Sequence, residues 1–238
     1  MSMKKSKGNM YDWVTHTHSH LRGKCSHNCG YCYVQAMAEK YKGVKEKYSK
    51  GEITIDEKEL NVNYGKNNLI FIEHMNDLFA KDVPSDLIEM VLGHCREYPK
   101  SNYVFQTKNP LRYLEFAGLI PDGSICGTTI ESNRRYEVMG KTPPPLDRIT
   151  GIAAIKGHNF ETFITIEPIL DFDLIDFSLM LKAAMPSFIN IGADSKGFGL
   201  SEPNYDKIMK LYALVVDEGI EVRKKLNLDR LKEKNENR

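Results

Sequence analysis

Short apolar runs of strand length alternate with longer segments of helical spacing along most of this chain. The run NLIFIEHM (Asn68–Met75) is apolar almost throughout, as in a strand that is covered on both faces of a parallel sheet. The next segment, residues 83–99, contains a Pro-Ser start and carries its apolar residues on one helical stripe. The predicted strands are Asp12–His18, Asn68–Met75, Asn102–Lys108, Ser124–Ile130, Thr162–Ile169 and Phe188–Asp194. The predicted helices are residues 34–48, 83–99, 109–118, 143–158, 173–185 and 202–219.

Six successive strand–helix units predict an α/β fold with a parallel sheet and outer helices. Six units are too few for a closed eight-stranded barrel, which takes about 250 residues. We therefore expect a partial (βα)6 TIM-like barrel with parallel strands, and a flat doubly wound sheet is the alternative. No linker composition divides the chain, so residues 1–238 are predicted to form one domain. Residues 1–10 are polar, and the charged tail from about residue 221 is expected to fray.

The charge balance changes this picture little, because 33 Lys and Arg residues face 32 Asp and Glu residues. A net charge of +1 predicts no polyanionic partner from the global field, although a local basic patch is compatible with it. The N-terminus lacks the apolar core of a secretory signal, and no apolar run approaches the roughly 20 residues that span a bilayer. We therefore expect a cytoplasmic protein without a membrane partner.

Three of the five cysteines lie within eight residues, in the stretch GKCSHNCGYCY (Gly23–Tyr33). Cys25, Cys29 and Cys32 have the spacing C-x3-C-x2-C, which suits a metal in a reduced compartment better than a disulfide framework. Their loop follows the first predicted strand, and in a parallel barrel it opens onto the carboxyl-terminal face, where such folds carry their chemistry. Three thiolates can hold three irons of a 4Fe–4S cluster and leave the fourth iron open to a small ligand.

Zinc is the alternative to an iron–sulfur cluster, and two sets of residues are candidate ligands for it. A structural zinc ion could use the cysteine loop, although zinc knuckles usually draw ligands from two separated pairs and no second cysteine pair is present. Its ligands would be Cys25, His27, Cys29 and Cys32. The triplet His16, His18 and His20 shares one strand face, but no supporting carboxylate is evident beside it. We therefore predict that the triplet is not a metal site.

The cysteine loop, with Tyr31 directly before the last cysteine, resembles the signature of the radical S-adenosylmethionine (SAM) superfamily. The (βα)6 pattern is also similar to the fold of that superfamily, so the resemblance covers about residues 12–219. It implies a 4Fe–4S cluster on Cys25, Cys29 and Cys32 whose open iron binds SAM. It also implies an enzyme that reductively cleaves SAM, with electrons from an external donor of the flavodoxin or ferredoxin type. The resulting 5′-deoxyadenosyl radical would abstract hydrogen from a substrate.

The resemblance also implies roles for side chains at the ends of the later strands. In that superfamily a Gly-Gly-Glu-like motif after the second strand meets the SAM amino group, and this chain has EHMND (Glu73–Asp77) there instead. Glu131 is expected to accept from the ribose hydroxyls, and the SAM carboxylate is expected to meet Lys108 or one of Asn133, Arg134 and Arg135. The cofactor-binding candidates are Tyr31, Asn76, Asp77, Lys108, Glu131, Asn133, Arg135 and Glu167.

The catalytic candidates are Cys126, Asp194 and Lys196. Cys126 could point inward from the fourth predicted strand, although a buried structural cysteine is the stronger interpretation, as it is for Cys95 on a helix stripe. Asp194 and Lys196 lie in the polar, glycine-containing segment after the sixth predicted strand. There they could face the substrate or form a turn.

Several motifs bear on the substrate. CSHNCGYCY resembles the cysteine loop of spore photoproduct lyase and its relatives, and MNDLF, QTKNPLR, IEPIL and IGADS resemble blocks of a phage-associated radical-SAM-like family. The lyase-like loop favours a nucleotide or a nucleic-acid base, with a peptide or small metabolite as the alternative. A basic stripe at the barrel mouth would support a phosphate-bearing substrate, with Lys108, Arg134, Arg135, Lys141 and Lys196 as its members. A non-catalytic module that binds zinc or a cluster is the alternative from a different class.

Overall fold

The computed structural model describes residues 3–8 and 10–236 of the chain. Its strands are β1 (Lys4–Lys5), β2 (His16–His18), β3 (Leu21–Arg22), β4 (Thr54–Ile55), β5 (Leu69–Ile72), β6 (Asn102–Thr107), β7 (Ile125–Thr129), β8 (Glu161–Ile166), β9 (Phe188–Ile191) and β10 (Glu221–Lys224). Its α-helices are α1 (Tyr33–Lys40), α2 (Lys42–Tyr48), α3 (Ser85–Arg96), α4 (Pro145–Lys156), α5 (Leu174–Ala184), α6 (Tyr205–Asp217) and α7 (Asp229–Glu236). Short 3-10 helices cover Glu57–Asn61, Pro110–Phe116, Glu137–Met139 and Leu226–Leu228.

Eight strands form one sheet in the order β1-β2-β5-β6-β7-β8-β9-β10. Neighbours from β2 to β10 are parallel, and β1 pairs antiparallel with β2. Over the described part of the chain, β1 and β10 are the two edges, so the barrel stays open between them. The parallel strands follow chain order without a reversal, whereas a doubly wound sheet requires one. The predicted α/β partial barrel is confirmed, and it has a seventh parallel strand.

The charged tail is ordered into the fold, which corrects the prediction that it frays. Glu221–Lys224 adds strand β10 beside β9, and α7 follows. Leu228 and Leu231 hold this tail because both are buried in the main core, at 1% and 4% exposure. The tail has too few apolar residues to show a periodic pattern among its charges. Its composition therefore predicted a solvent-exposed segment.

The barrel interior holds an aromatic cluster that is separate from the core under the helices. Its buried members are Tyr11, Val14, Phe71, Val104, Phe163 and Phe188. Trp13 stacks on Tyr11 with 5.0 Å between ring centroids and meets Phe188 edge-on at 5.4 Å. The segment before β2 therefore fills the barrel, and only His16–His18 of the first predicted strand is paired.

Strand β7 shows how the alternation of side chains separates the barrel interior from the helix layer. Ile125 packs against the interior cluster, whereas Cys126 is fully buried in the core under the helices. A Cβ atom on Gly127 would lie 2.2 Å from the Phe163 ring, so only glycine fits beside that ring. The structure thus corrects the catalytic candidacy of Cys126, because its position in the alternation turns it away from the interior.

Two predicted helices take a different form. Residues 34–48 form α1 and α2, which are separated by Tyr41 with extended dihedral angles. Residues 109–118 contain the 3-10 helix Pro110–Phe116 instead of an α-helix. Arg112 of this 3-10 helix donates to the carbonyl oxygens of Ala80 and Val83, which ties it to the loop before α3. No helix in the described ranges is long and apolar enough to cross a membrane.

Candidate active site

A cavity of about 920 Å³ opens at the carboxyl-terminal ends of the parallel strands. Side chains at or just beyond the strand ends line it, namely Thr17 of β2, Glu73 after β5, Lys108 after β6, Thr129 of β7, Glu167 after β8, Asp194 after β9 and Lys225 after β10. Its volume is near the upper end of the range for small-molecule sites. Its position is the one where barrel enzymes carry their chemistry.

All three clustered cysteines lie on the wall of this cavity, in the loop between β3 and α1. Cys32 directly precedes α1, and its backbone N–H donates to the carbonyl oxygen of Cys29 at 3.1 Å. The Cys29 Sγ lies 3.5 Å from the carbonyl oxygen of Met139. Cys25, Cys29 and Cys32 are all partly exposed, so their thiols are accessible from the cavity.

Close backbone packing holds the cysteine loop against the segment that follows β7. The Gly30 N–H donates to the Val138 carbonyl oxygen at 2.8 Å, and the Lys141 N–H donates to the His27 carbonyl oxygen at 2.6 Å. Gly140 has a φ of 63°, and a Cβ atom there would lie 2.2 Å from that same His27 oxygen. Only glycine permits this approach, since it tolerates positive φ and has no side chain.

Asp77, a predicted SAM contact, also anchors the cysteine loop. Its Oδ2 lies 2.8 Å from His27 Nε2 and accepts from the Lys108 backbone N–H at 2.8 Å. Burial by itself would raise the pKa of Asp77, but His27 and the backbone donors hold it below its ordinary value. Asn76 donates from its amide to the Gly23 carbonyl oxygen at 3.2 Å. Asn76 and Asp77 both line the cavity, so their proposed contact with SAM stays a prediction.

The cysteines fit an iron–sulfur cluster by donor type and number. Three thiols on one cavity wall are the ligands that a 4Fe–4S cluster with one open iron requires. Burial raises the pKa of the Cys25 and Cys29 thiols, so both are neutral until a metal displaces their protons. Within the described ranges, no three His, Cys, Asp or Glu side chains are already gathered around a common metal position.

Glu131 lies behind the cavity wall, which does not support its predicted role toward a ribose. Its side chain is fully buried, and its Oε2 lies 2.8 Å from Nη1 of the equally buried Arg148. The Tyr31 hydroxyl donates to its other oxygen. Tyr31 itself lines the cavity, and Lys108 Nζ lies 5.4 Å from the centroid of its ring. Glu131 therefore fixes the cysteine loop through Tyr31.

The side chains predicted after β7 for the SAM carboxylate point to a neighbouring loop. Arg134 pairs with Asp171 at 2.6 Å and also contacts Asp173, to which Asn133 donates at 3.3 Å. Arg135 donates to Thr142 Oγ1 at 3.0 Å, beside the segment that packs on the cysteine loop. Neither Asn133 nor Arg135 lines the cavity, since both are engaged in joining loops. Arg134 and Arg135 therefore do not contribute to the predicted basic stripe at the cavity mouth.

Glu167 lies on the cavity wall, and its partners come from the tail. Its Oε2 lies 2.7 Å from Lys225 Nζ, and its Oε1 accepts from the Asn227 amide at 2.7 Å. Sequence reasoning missed both partners because the tail was expected to fray. The sequence did indicate that Glu167 has a partner, because its carboxylate follows an apolar strand and a buried charge needs a counterpart.

Asp194 and Lys196 also reach the cavity, where they form a turn. The Asp194 Oδ1 accepts from the backbone N–H groups of Lys196 and Gly197, both at 3.0 Å. Asp194 is buried at 6% exposure, whereas Lys196 is exposed. Asp194 therefore shapes the rim, and Lys196 presents its charge to solvent at the mouth.

Four polar side chains that the sequence did not single out connect across the cavity. The Tyr11 hydroxyl donates to Gln106 Oε1 at 2.7 Å and lies 2.5 Å from Thr165 Oγ1. The Gln106 amide donates to Thr129 Oγ1 at 2.9 Å. All four line the cavity directly above the aromatic interior. For Gln106, Thr129 and Thr165 the signal in the sequence was a polar residue near the end of an apolar strand, which is too common to predict a site, and Tyr11 lies before the first predicted strand.

A network of buried histidines lies behind the wall formed by Glu73. His20 Nδ1 is 2.9 Å from Glu73 Oε1, and His20 Nε2 is 2.9 Å from both His94 Nδ1 and the Tyr64 hydroxyl. Glu73 follows β5, the strand beside β2, and it supplies the carboxylate that the sequence did not show next to the histidine triplet. Burial raises the pKa of Glu73 to about 7 and lowers that of His20 to about 3.

We expect Glu73→Gln to gain stability relative to the natural chain as the pH rises from about 4.5 to about 7. A carboxyl whose pKa is raised by folding destabilises the fold above its unfolded-state pKa, because the unfolded chain releases the proton more readily. The rise in the pKa of Glu73 from 4.5 to about 7 corresponds to about 3 kcal/mol in the free energy of unfolding. Urea unfolding across this pH range measures the difference, with the exposed Glu57→Gln as a control that should show no such trend. A difference independent of pH would contradict the expectation.

Solved structures with little sequence similarity share this fold. A variant of spore photoproduct lyase with bound AdoMet and dinucleoside spore photoproduct matches with a TM-score of 0.57 and 11% identity, over 90% of this chain and 65% of that chain. Another spore photoproduct lyase, complexed with dinucleoside spore photoproduct, matches with 0.57 and 11%, over 88% and 63%. SuiB from Streptococcus suis bound to S-adenosylmethionine matches with 0.55 and 10%, over 88% and 50%. This chain thus spans less than two thirds of the length of each of these proteins.

The open parallel barrel is therefore a fold that this chain shares with these structures, and it is the fold expected from the resemblance to the radical SAM superfamily. At this level of identity the likeness concerns the fold alone. A closer match is to a protein family: residues 9–195 fit the model described as protein of unknown function, DUF5131, and the chain belongs to that family. No curated protein matches the sequence.

Proposed function

We propose that this chain is a radical SAM enzyme that abstracts hydrogen from a nucleotide or a nucleic-acid base. The observation that carries the proposal is the placement of Cys25, Cys29 and Cys32 on the wall of a cavity at the carboxyl ends of parallel strands. When bound there, a 4Fe–4S cluster with SAM would supply reductive cleavage of SAM and a 5′-deoxyadenosyl radical. We further propose an external flavodoxin- or ferredoxin-type electron donor and a cytoplasmic location.

The chain's own residues would hold the cysteine loop in position. Asp77 bonds His27 inside the loop, and the buried Glu131–Arg148 pair bonds Tyr31. Fully satisfied polar networks of this kind restrict side chains to one arrangement. The three thiols would therefore be presented on a rigid wall, as a site that depends on geometry requires.

The wall beside the cysteines matches the amino-acid end of SAM in charge. Lys108 presents a cation over the Tyr31 ring, and Asp77, which is ionised because its pKa is held low, lies on the same wall. A zwitterion with an ammonium and a carboxylate would meet both partners there. Asn76 adds an amide that could orient the ammonium.

The polar side chains across the cavity support a base-containing substrate. Tyr11, Gln106, Thr129 and Thr165 offer hydrogen-bond donors and acceptors above an aromatic interior, which suits the edges and faces of a base. The similar spore photoproduct lyase structures hold a dinucleoside. A peptide or a small metabolite is the competing substrate class, to be separated by assay.

The deciding experiment is iron and sulfide quantitation with electron paramagnetic resonance (EPR) of the anaerobically reduced protein, with and without SAM. We expect iron and sulfide at cluster level and a spectrum that changes when SAM is added, because SAM would bind the open iron. Stoichiometric zinc, or a cluster spectrum that ignores SAM, would overturn the proposal in favour of a non-catalytic metal module.

A further inference from the structure

Exposed lysines surround the mouth of the cavity. They are Lys4, Lys5, Lys7, Lys24 and Lys196, which we call the lysine rim. No member of the rim forms an ion pair with any residue in the described ranges. Lysines in this state keep their full charge available for an external anion.

The acidic residues of the cavity do not outweigh the rim, because seven lysines line the cavity against four carboxylates, each of which has an internal hydrogen-bond partner. These acids and partners are Glu73 with His20, Asp77 with His27, Glu167 with Lys225, and Asp194 with the N–H groups of Lys196 and Gly197. The local charge at the mouth is therefore positive, although the whole chain carries only +1. Clefts with charge of one sign concentrate ligands of the opposite sign.

The rim continues from the cavity to an open edge of the sheet. Lys4 and Lys5 form β1, the edge strand, and Lys4 pairs with Thr17, which lines the cavity. Cross-strand neighbours share one face, so Lys4 faces the same space as Thr17. At about 3.4 Å per residue, the segment from Lys4 to Lys7 covers up to about 10 Å. Lys4, Lys5 and Lys7 all line the cavity, so positive charge extends from the mouth to the open edge of the sheet.

We propose that the lysine rim binds the phosphodiester backbone of a single-stranded nucleic acid whose target base enters the cavity. This inference rests on the proposed function and specifies its substrate as a polymer rather than a free nucleotide. A free nucleotide would occupy only part of a rim of five separated cations, whereas a chain that passes the mouth can engage all of them. A single strand is specified because a base within a duplex must first leave its stack to reach such a cavity.

The test is fluorescence anisotropy of a labelled oligothymidylate of about ten nucleotides, a length that suits single-strand sites. The full-length protein with its cluster is titrated across a series of salt concentrations. Removing the three N-terminal charges, as Lys4→Ala, Lys5→Ala and Lys7→Ala together, should weaken binding about tenfold or more. The slope of log affinity against log salt should fall by about 0.7 per lost phosphate contact, or about 2 in total.

A matched control removes the same charge elsewhere, as Lys100→Ala, Lys156→Ala and Lys210→Ala together. These lysines are exposed and do not line the cavity, so affinity and salt slope should stay at natural values. Equal affinity of the two triple variants, or no binding by the natural chain, would overturn the inference. Displacement of the oligonucleotide by polyglutamate of equal charge at equal concentration would also overturn it, since the rim would then recognise charge alone.

The SAM-dependent EPR signal, recorded on the same samples, separates this inference from the proposed function. We expect the signal to be equal in the natural chain and in both triple variants, because the substituted lysines lie outside the cysteine loop. A normal response to SAM without oligonucleotide binding overturns only the lysine rim as a nucleic-acid site. Rim-dependent binding without a response to SAM overturns the proposed chemistry, and with it the identification of the bound polymer as a substrate.

Discussion

Cys29→Ala should lose cluster iron and SAM cleavage together. Cys29 is the middle thiol of the three on the cavity wall, and no fourth cysteine lines the cavity to replace it in the described part of the chain. Changes to groups that merely contact metal ligands cost about 10–100-fold. Loss of a direct ligand should therefore lower SAM cleavage by more than about 100-fold. Iron and sulfide per chain, and 5′-deoxyadenosine formed after reduction, are the measurements.

Cys126→Ala is the matched control for this prediction. It removes the same atom from the core under the helices, where Cys126 is fully buried and turned away from the cavity. We expect this variant to retain iron and SAM cleavage. Natural iron content in Cys29→Ala would refute the ligand assignment, whereas loss of iron in both variants would show that the assay reports folding instead.

Arg148→Met should destabilise the fold by about 3–5 kcal/mol, the usual cost of leaving a buried charge without its partner. Arg148 is fully buried, and the carboxylate of Glu131 that it neutralises is equally buried. Its guanidinium also donates to the carbonyl oxygens of Pro143 and Thr129, at 2.8 and 2.9 Å. The free energy of unfolding in urea measures the loss.

Two further variants separate the buried pair from a general effect of removing an arginine. Arg134→Met removes a charge from a half-exposed pair and should cost much less, since solvent screens such pairs. Adding Glu131→Leu to Arg148→Met should recover part of the lost stability, because no unpaired charge is then buried. A loss in Arg148→Met no larger than in Arg134→Met would contradict the expectation.

The same pair links stability to the proposed chemistry. Glu131 accepts from Tyr31, which lies between Cys29 and Cys32 in the loop. In Arg148→Met the loop should therefore be held less firmly, and cluster iron should fall together with stability. Iron content in the double variant then shows whether the loop needs Glu131 itself or only a stable core.

The alternation of strands and helices was readable from the sequence because it depends on local periodicity. Each dense apolar run, such as Leu69–Ile72, became a parallel strand because burial on both faces leaves little choice of residue type. Segments with few apolar residues gave no such pattern. The tail holding Leu228 and Leu231 packs through contacts that no local pattern encodes.

In the candidate site, too, the residues that are close in sequence could be predicted and those that depend on distant contacts could not. Cys25, Cys29 and Cys32 could be predicted because all three ligands lie in one short loop, so their proximity is local. Cys126 and Glu131 could not be assigned in this way. A position near a strand end is visible in the sequence, but the direction of a side chain depends on strand register, and its partner depends on distant elements.

The sequence by itself determined the six central strands, the parallel α/β class and the cysteine loop, because each follows from spacing within a few residues. Only the tertiary structure decided which side chains share the cavity. It joined Glu167 to Lys225 and Tyr11 to Thr165, and it brought Lys4 to the mouth. The physical reason is that an open barrel brings distant strand ends together, and burial then selects those partners that satisfy each other's charge and hydrogen bonds.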